Sequence, residues 1–178
     1  AGRRWVRRYE RLVLPATQPG APGADPSLPL RRRGCYLITG GLGGMGLTIA
    51  RWLGKGLCAR LLLTSRRALP ARESWDAWIA GHAADDAQVQ AMLAIREIES
   101  GGGEVELASA DAADEAAMGR AIAAARARFG ALHGVFHAAG IAGRGSVARR
   151  ASAKDARAVF APKLGGLQAL CRLLGREP

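Results

Sequence analysis

The residues with the clearest chemical potential lie at Thr39-Gly40-x-x-x-Gly44-x-Gly46, inside the run Y-L-I-T-G-G-L-G-G-M-G at 36–46. A short apolar strand pattern there enters a glycine cluster and then a helical pattern. Unpaired N–H groups at a helix start, together with the helix dipole, bind a pyrophosphate, and glycines let bare backbone come close to it. A strand before the cluster and a helix after it supply the context that gives such a motif meaning. Gly40, Gly41, Leu42, Gly43, Gly44, Met45 and Gly46 are therefore candidate phosphate-binding residues. The competing reading is a tight strand–helix turn with no ligand, but glycines cost helix stability and need a reason at a helix start.

Three further segments extend this chemistry. The second strand pattern ends in Thr64-Ser65-Arg66-Arg67, with no carboxylate until Glu73. An acidic residue there would accept from a ribose 2′-hydroxyl, whereas a hydroxyl and guanidinium forks suit a 2′-phosphate. Ser65, Arg66 and Arg67 thus predict NADPH over NADH, against the alternative of a solvated arginine pair in an arginine-rich chain. Asp111 and Ala112 follow the third strand pattern, where Asp111 is placed to accept from an adenine amino group and Asp114 to cap the next helix. His137-Ala138-Ala139-Gly140 ends the fourth strand pattern, and small side chains there would let the strand end lie flat against a ribose or nicotinamide. His137, Ala138, Ala139 and Gly140 are therefore candidate cofactor-binding residues; His137 is not read as a base, a lone histidine at a strand end being more often structural, and His82 and His133 are read as loop residues. Lys163 is one of only three lysines, with Lys55 and Lys154. A compact ammonium can hydrogen-bond a ribose and lower a neighbouring phenol's pKa; a surface lysine at a helix start is the alternative.

Alternating elements must position these residues. Strand patterns at Cys35–Thr39, Ala59–Ser65, Glu104–Ala110 and Leu132–Ala138 alternate with helical patterns. The helices are expected from Leu47 to a stop at Lys55-Gly56, over Glu73–Ala80 and Ala87–Glu99, over Glu115–Phe129 and near Ala153–Phe160. A last one is expected from Lys163 or Leu164 to Leu174. This order predicts an α/β, Rossmann-like doubly wound parallel sheet with both faces covered, incomplete at the C-terminus. Residues 15–33 hold five of the eight prolines and close on Arg31-Arg32-Arg33, which reads as a linker. Residues 1–14 read as a strand ending a preceding structural subdomain, leaving 34–178 as the cofactor-binding domain.

Composition narrows the function classes. The chain has 178 residues, 49% of them hydrophobic, which argues against disorder. No apolar run approaches the ~20 residues that span a membrane, and the opening Ala1-Gly2-Arg3-Arg4-Trp5 has no signal-peptide core. The net charge of +11 invites a nucleic-acid reading. Nearly all of it is arginine, however, in an alanine-rich chain with 5% aromatics and no basic–aromatic interleaving, so no nucleic-acid partner is expected. An acidic macromolecular partner stays compatible with it. Cys35, Cys58 and Cys171 are odd in number and widely spaced, which fits neither a disulfide framework nor a metal site. A reducing, cytoplasmic setting is expected.

Together the segments T-G-G-L-G-G-M-G (39–46), T-S-R-R (64–67), D-A-A-D (111–114), F-G-A-L-H-G-V-F-H-A-A-G (129–140) and A-P-K-L-G-G (161–166) resemble the ketoreductase domain of modular polyketide synthases. Fatty acid synthase reductases are close behind, and all belong to the short-chain dehydrogenase/reductase superfamily. The opening R-R-W-V-R-R-Y-E resembles the last strand of that family's truncated structural subdomain. The long segment 70–100 resembles the version found in synthases served by a separate acyltransferase. The resemblance implies NADPH-dependent reduction of a β-ketoacyl thioester carried on an acyl carrier protein, among neighbouring synthase domains. It also implies a serine and a tyrosine acting on the ketone oxygen, with Lys163 taking the family's lysine role.

The chain departs from the family in that this serine and tyrosine would fall beyond Pro178. None of Ser146, Ser152, Tyr9 or Tyr36 stands where the family places them, and the 178 residues alone are expected to be inactive. Ala142-Gly143-Arg144 replaces the Leu-Asp-Asp of one stereochemical class, a lean toward the opposite, L-hydroxy class. Two other readings stay open. One is a reductase-like module kept for packing within a synthase, and the other is a different NADPH-dependent short-chain reductase.

Overall fold

A computed structural model describes residues 29–141 and 152–175. Four strands, β1 (Cys35–Thr39), β2 (Arg60–Ser65), β3 (Glu104–Ser109) and β4 (Gly134–His137), form one sheet of order β3-β2-β1-β4, parallel throughout. β1 is buried at every position, as an apolar strand covered on both faces must be. Its alternation serves two cores: Tyr36 and Ile38 enter one, Cys35 and Leu37 the other. This is the doubly wound α/β architecture that the alternating pattern predicts.

On the first face lie α1 (Gly44–Leu57), α2 (Trp75–Gly81) and α3 (Ala87–Ser100). Leu53 and Leu57 of α1, Trp75 of α2, and Met92, Ile95 and Ile98 of α3 pack there against Leu61 and Leu63. Trp75 is held by its Nε1–H, which donates to the Pro70 carbonyl at 2.9 Å. The guanidinium of Arg72 lies 5.0 Å from its ring centre. On the second face, Met118, Ile122, Ala125 and Phe129 of α4 (Glu115–Phe129) and Leu170 of α6 (Gly166–Leu174) cover Cys35, Leu37 and Leu62. Burial pushes the Cys35 thiol pKa up, with Arg60 partly opposing it. No helix among the described residues is long and apolar enough to cross a membrane.

Several expected boundaries move, for reasons of packing. The first helix begins at Gly44 rather than Leu47 and runs through Lys55-Gly56 to Leu57. Leu57 is fully buried and its carbonyl accepts the Arg33 N–H at 2.7 Å, so the expected stop is carried past. Cys58 ends the helix in the left-handed region at φ 48°, its N–H donating to Leu53. The expected linker also ends earlier than Arg33. Leu30 packs on the first core, and the Arg31 N–H donates to Tyr36 Oη at 2.6 Å. Residues 1–28, with the expected strand and most of that linker, lie outside the described residues, as do Ala142-Gly143-Arg144 and Ser146.

The chain's last helices meet as one. α5 (Ala153–Phe160) continues through a single π turn, Ala161–Gly165, into α6 without a break. Pro162 lacks the N–H for a regular turn and crowds the carbonyl one turn back; a widened turn accommodates it.

Thr64 is 1% exposed on β2, on the same face as Leu62, and its hydroxyl has no hydrogen-bond partner. A buried unpaired hydroxyl costs about 1–3 kcal/mol. Thr64→Val keeps the shape and removes that cost, so its thermal midpoint should rise by roughly 2–4 °C. A lower midpoint in a thermal melt would show that this hydroxyl is satisfied.

Candidate nucleotide-binding site at the carboxyl edge of the sheet

A cleft of about 570 Å³ opens at the carboxyl ends of the strands, within the size range of cofactor pockets. Gly40 and Gly43 form its floor, from the turn between β1 and α1. Ser65, Arg66 and Arg67 follow β2; Ala110, Asp111 and Ala112 follow β3; Ala138, Ala139, Gly140 and Ile141 follow β4. Pro162 of the π turn closes the remaining side. Four separate strand ends thus converge, as parallel strands beside a topological switch point require.

The glycine turn works by contact more than by flexibility. Gly40 alone in it takes a positive φ, +65°, turning the chain off β1. Gly46 is buried against it: a Cβ there would press into the Gly40 carbonyl and lie 2.8 Å from Gly41 Cα. Gly41 donates its N–H to the Thr64 carbonyl at 2.9 Å, and Leu42 packs into the apolar cores. Both therefore turn away from the cleft. Gly44 has nothing within 4 Å of a built Cβ, and Met45 is 72% exposed. The start of α1 faces open space with no side-chain cap and no acidic residue in its first turn. By contrast, Asp86 caps α3, Asp114 caps α4 and Ser152 caps α5. An uncapped helix start with orphan N–H groups is a ready anion site.

The charged rim fits the same ligand chemistry. Arg66 and Arg67 are exposed, and among the described residues neither guanidinium has a hydrogen-bond or ion-pair partner. Their backbone is fixed all the same: Arg67 N–H donates to Ser65 Oγ at 3.3 Å, and Ser109 Oγ donates to the Arg66 carbonyl at 3.4 Å. Asp111 spends one carboxylate oxygen on the Ala113 N–H at 2.9 Å, while Asp114 accepts from Ala117 N–H as the expected cap. Exposed Asp111 and buried Ala112 both border the cleft.

At the opposite end, His137 does not line the cleft but bridges two elements. Its Nδ1 lies 2.7 Å from Thr39 Oγ1 and its Nε2 2.9 Å from the Pro162 carbonyl. Lys163 is exposed, its Cε 3.6 Å from where a Cβ on Gly140 would stand. The helix that delivers it starts with a capping box between Ser152 and Asp155. Hydrogen bonds from Ser152 hold the Asp155 carboxyl below its ordinary pKa. That contribution is present above the unfolded-state value and is lost as pH falls through the lowered one.

Ala110, Ile141 and Pro162 border the cleft without having been picked out from sequence. Each adjoins a segment that was, and small or apolar residues carry no signal of their own. Tyr36, one of the chain's two tyrosines, is buried with its hydroxyl against Arg31, away from the cleft.

Comparison with known proteins gives consistent results. A family model described as "KR domain" matches residues 34–178. Polyketide synthase ThaG of Burkholderia thailandensis is 37% identical over 178 residues, all of this chain and 3% of that protein. Polyketide synthase PksM of Bacillus subtilis is 35% identical over 148 residues, 83% of this chain and 3% of that protein. Among solved structures, "Structure of A-type Ketoreductases from Modular Polyketide Synthase" aligns with a TM-score of 0.66 at 28% identity, covering 92% of this chain and 30% of that one. The chain therefore spans only a small fraction of these synthases.

The contacts of the turn predict a contrast between two glycines. Gly46→Ala should destabilise by about 1–3 kcal/mol through overpacking. Gly44→Ala should be neutral or gain up to about 1 kcal/mol from helix propensity. Denaturant unfolding of both variants checks this, and equal losses would contradict the geometry.

Proposed function

Because the chain belongs to the ketoreductase (KR) domain family of modular polyketide synthases, we propose that it supplies the NADPH-binding part of a β-ketoacyl reductase. The substrate is a β-ketoacyl thioester, presented by an acyl carrier protein on its phosphopantetheine arm among neighbouring synthase domains. The observation that carries the cofactor reading is the pair of guanidiniums, Arg66 and Arg67, which have no partner among the described residues and stand on the rim beside an uncapped helix start.

In this reading the N–H groups opening α1 hold the diphosphate, and Gly40 and Gly43 let it approach the backbone. Ser65, Arg66 and Arg67 clasp the 2′-phosphate, a hydroxyl and two planar guanidinium forks suiting its oxygens. Asp111 retains one carboxylate oxygen free of its Ala113 bond for the adenine amino group. Ala138, Ala139 and Gly140 present a flat strand end to the nicotinamide half, and Lys163 reaches its ribose from above Gly140. The dinucleotide, when bound, supplies the hydride that reduces the ketone.

The cleft borders hold no phenol among the described residues, because Tyr36 is engaged elsewhere. A positioned general acid is worth ~10²–10⁴-fold in such chemistry. The 178 residues should therefore bind the dinucleotide without turning over a β-ketoacyl thioester. Consumption of NADPH by them would overturn that division of labour.

Fluorescence titration of NADPH and NADH tests the assignment directly. Exchanging Arg66 and Arg67 for alanine should raise the Kd for NADPH about tenfold or more, some 1.4 kcal/mol per decade. The Kd for NADH should change by less than about twofold, since no contact to a 2′-phosphate is at stake. Equal losses would remove the preference for NADPH, and binding of neither dinucleotide would remove the cofactor reading.

A further inference from the structure

We propose that His137 is a positioning residue for Lys163, pinning the π turn that carries the lysine against the Gly140 end of the cleft. The inference rests on the dinucleotide reading above and adds a role that the cleft's own lining does not include.

The hydrogen bonds select one tautomer of the neutral imidazole. A carbonyl oxygen only accepts, so Nε2 carries the proton and donates it to Pro162 O at 2.9 Å. Nδ1 is then the acceptor of a hydrogen bond from the Thr39 hydroxyl at 2.7 Å. Thr39 Oγ1 in turn accepts the Ala139 N–H at 3.3 Å. One directional chain thus runs from the strand end that borders the cleft, through β1 and the ring, to the turn beside Lys163. Both ring nitrogens are bonded, so the orientation of the ring and the position of the Pro162 carbonyl are fixed together.

Packing around the ring leaves it one place to sit. Gly166 is buried against it, and a Cβ there would stand 2.9 Å from His137 Cε1 and 3.2 Å from Ala112 Cβ. That accounts for glycine at 166 in A-P-K-L-G-G. Pro162 itself borders the cleft, and Lys163 is the next residue, its Cε over Gly140. Displacing the Pro162 carbonyl therefore displaces the lysine stem. Both nitrogens are committed, so the ring acts on the site through Lys163 and transfers no proton to a ligand.

The test is a double-mutant cycle on the full 178-residue chain, read by NADPH affinity. Lys163→Met should raise the Kd several-fold. His137→Asn cannot reach Pro162, and it should raise the Kd about threefold to tenfold when Lys163 is present but less than about twofold on the Lys163→Met background. His137→Gln places an amide N–H near the Nε2 position and should stay within about twofold of the unsubstituted chain, since the one bond that matters is kept. Nitrogen-15 spectra of the unsubstituted chain should show the Nε2–H tautomer, a readout independent of whether any variant folds.

Additive losses for His137→Asn and Lys163→Met, an unaffected Kd in Lys163→Met, or an Nδ1–H tautomer would each overturn the positioning role. Failure of the unsubstituted chain to bind NADPH would instead remove the dinucleotide reading itself.

Discussion

The molecule turns on a backbone-to-backbone contact. The first turn of α1 is pressed onto the end of β1 until Gly46 meets the Gly40 carbonyl, with no side chain between them. That approach seats α1 close enough for Ala50, Leu53 and Leu57 to enter the first core, where Met92, Ile95 and Ile98 of α3 meet them. It also aims the helix axis at the carboxyl edge of the sheet. The same few residues consequently set the core on one side and leave orphan N–H groups over the cleft on the other. Capping that start with a side chain would satisfy the helix and occupy the space a ligand needs. α3, α4 and α5 carry Asp86, Asp114 and Ser152 as caps, whereas α1 starts with no side-chain cap and no acidic residue in its first turn.

The large positive charge resolves into two populations. Much of it is spent on carboxylates across neighbouring elements: Arg51 and Lys55 on Glu97, Arg33 and Arg60 on Glu104, Arg72 on Glu99, Arg128 on Glu106 and Arg172 on Glu115. Lys55 and Arg51 hold the Glu97 carboxyl below its ordinary pKa. Such partly exposed pairs add little to stability and mainly join neighbouring elements, α1 to α3, β2 to β3, α4 to β3 and α6 to α4. Arg66 and Arg67 belong to the other population. Their backbones are fixed by Ser65 and Ser109, while among the described residues their heads have no partner and border the cleft.

What could be read from sequence follows how local each cause is. The glycine turn, the capped start of α4 at Asp114 and the arginines after β2 are set by neighbours in the chain, and their residue types announce them. The α/β architecture was legible for the same reason, because periodicity is a local property summed over each element. Boundaries moved where a distant partner intervened: Leu57 extends α1 because Arg33 and the core claim it, and Leu30 leaves the linker because the core has room for it. The two helices expected on either side of 161–162 join through a widened turn at Pro162, and the continuation into α6 brings Leu170 to the core beside α4. Gly41 and Leu42 sit in the right motif yet face the sheet and the core, a distinction of side-chain direction that spacing alone cannot carry.

The two halves of the cleft therefore differ in kind. The half built from Gly40, Gly43, Ser65, Arg66 and Arg67 depends on turns a few residues long, each anchored to its own strand. The half near Gly140 depends on β4 meeting a helical turn twenty-five residues later through His137 and the Pro162 carbonyl. Neither partner signals the other in sequence, because a histidine at a strand end and a proline in a helix are each ordinary alone. Their meeting gives sense to a cluster of otherwise unrelated choices: a donor-less residue at 162, a hydrogen side chain at 166 where the ring lies, and a hydroxyl at 39 to fix the ring's proton. A local motif suffices to build an anion site, which needs only charge and N–H groups. Placing a lysine over a strand end needs long-range geometry, and this fold commits a part-buried chain of hydrogen bonds to it.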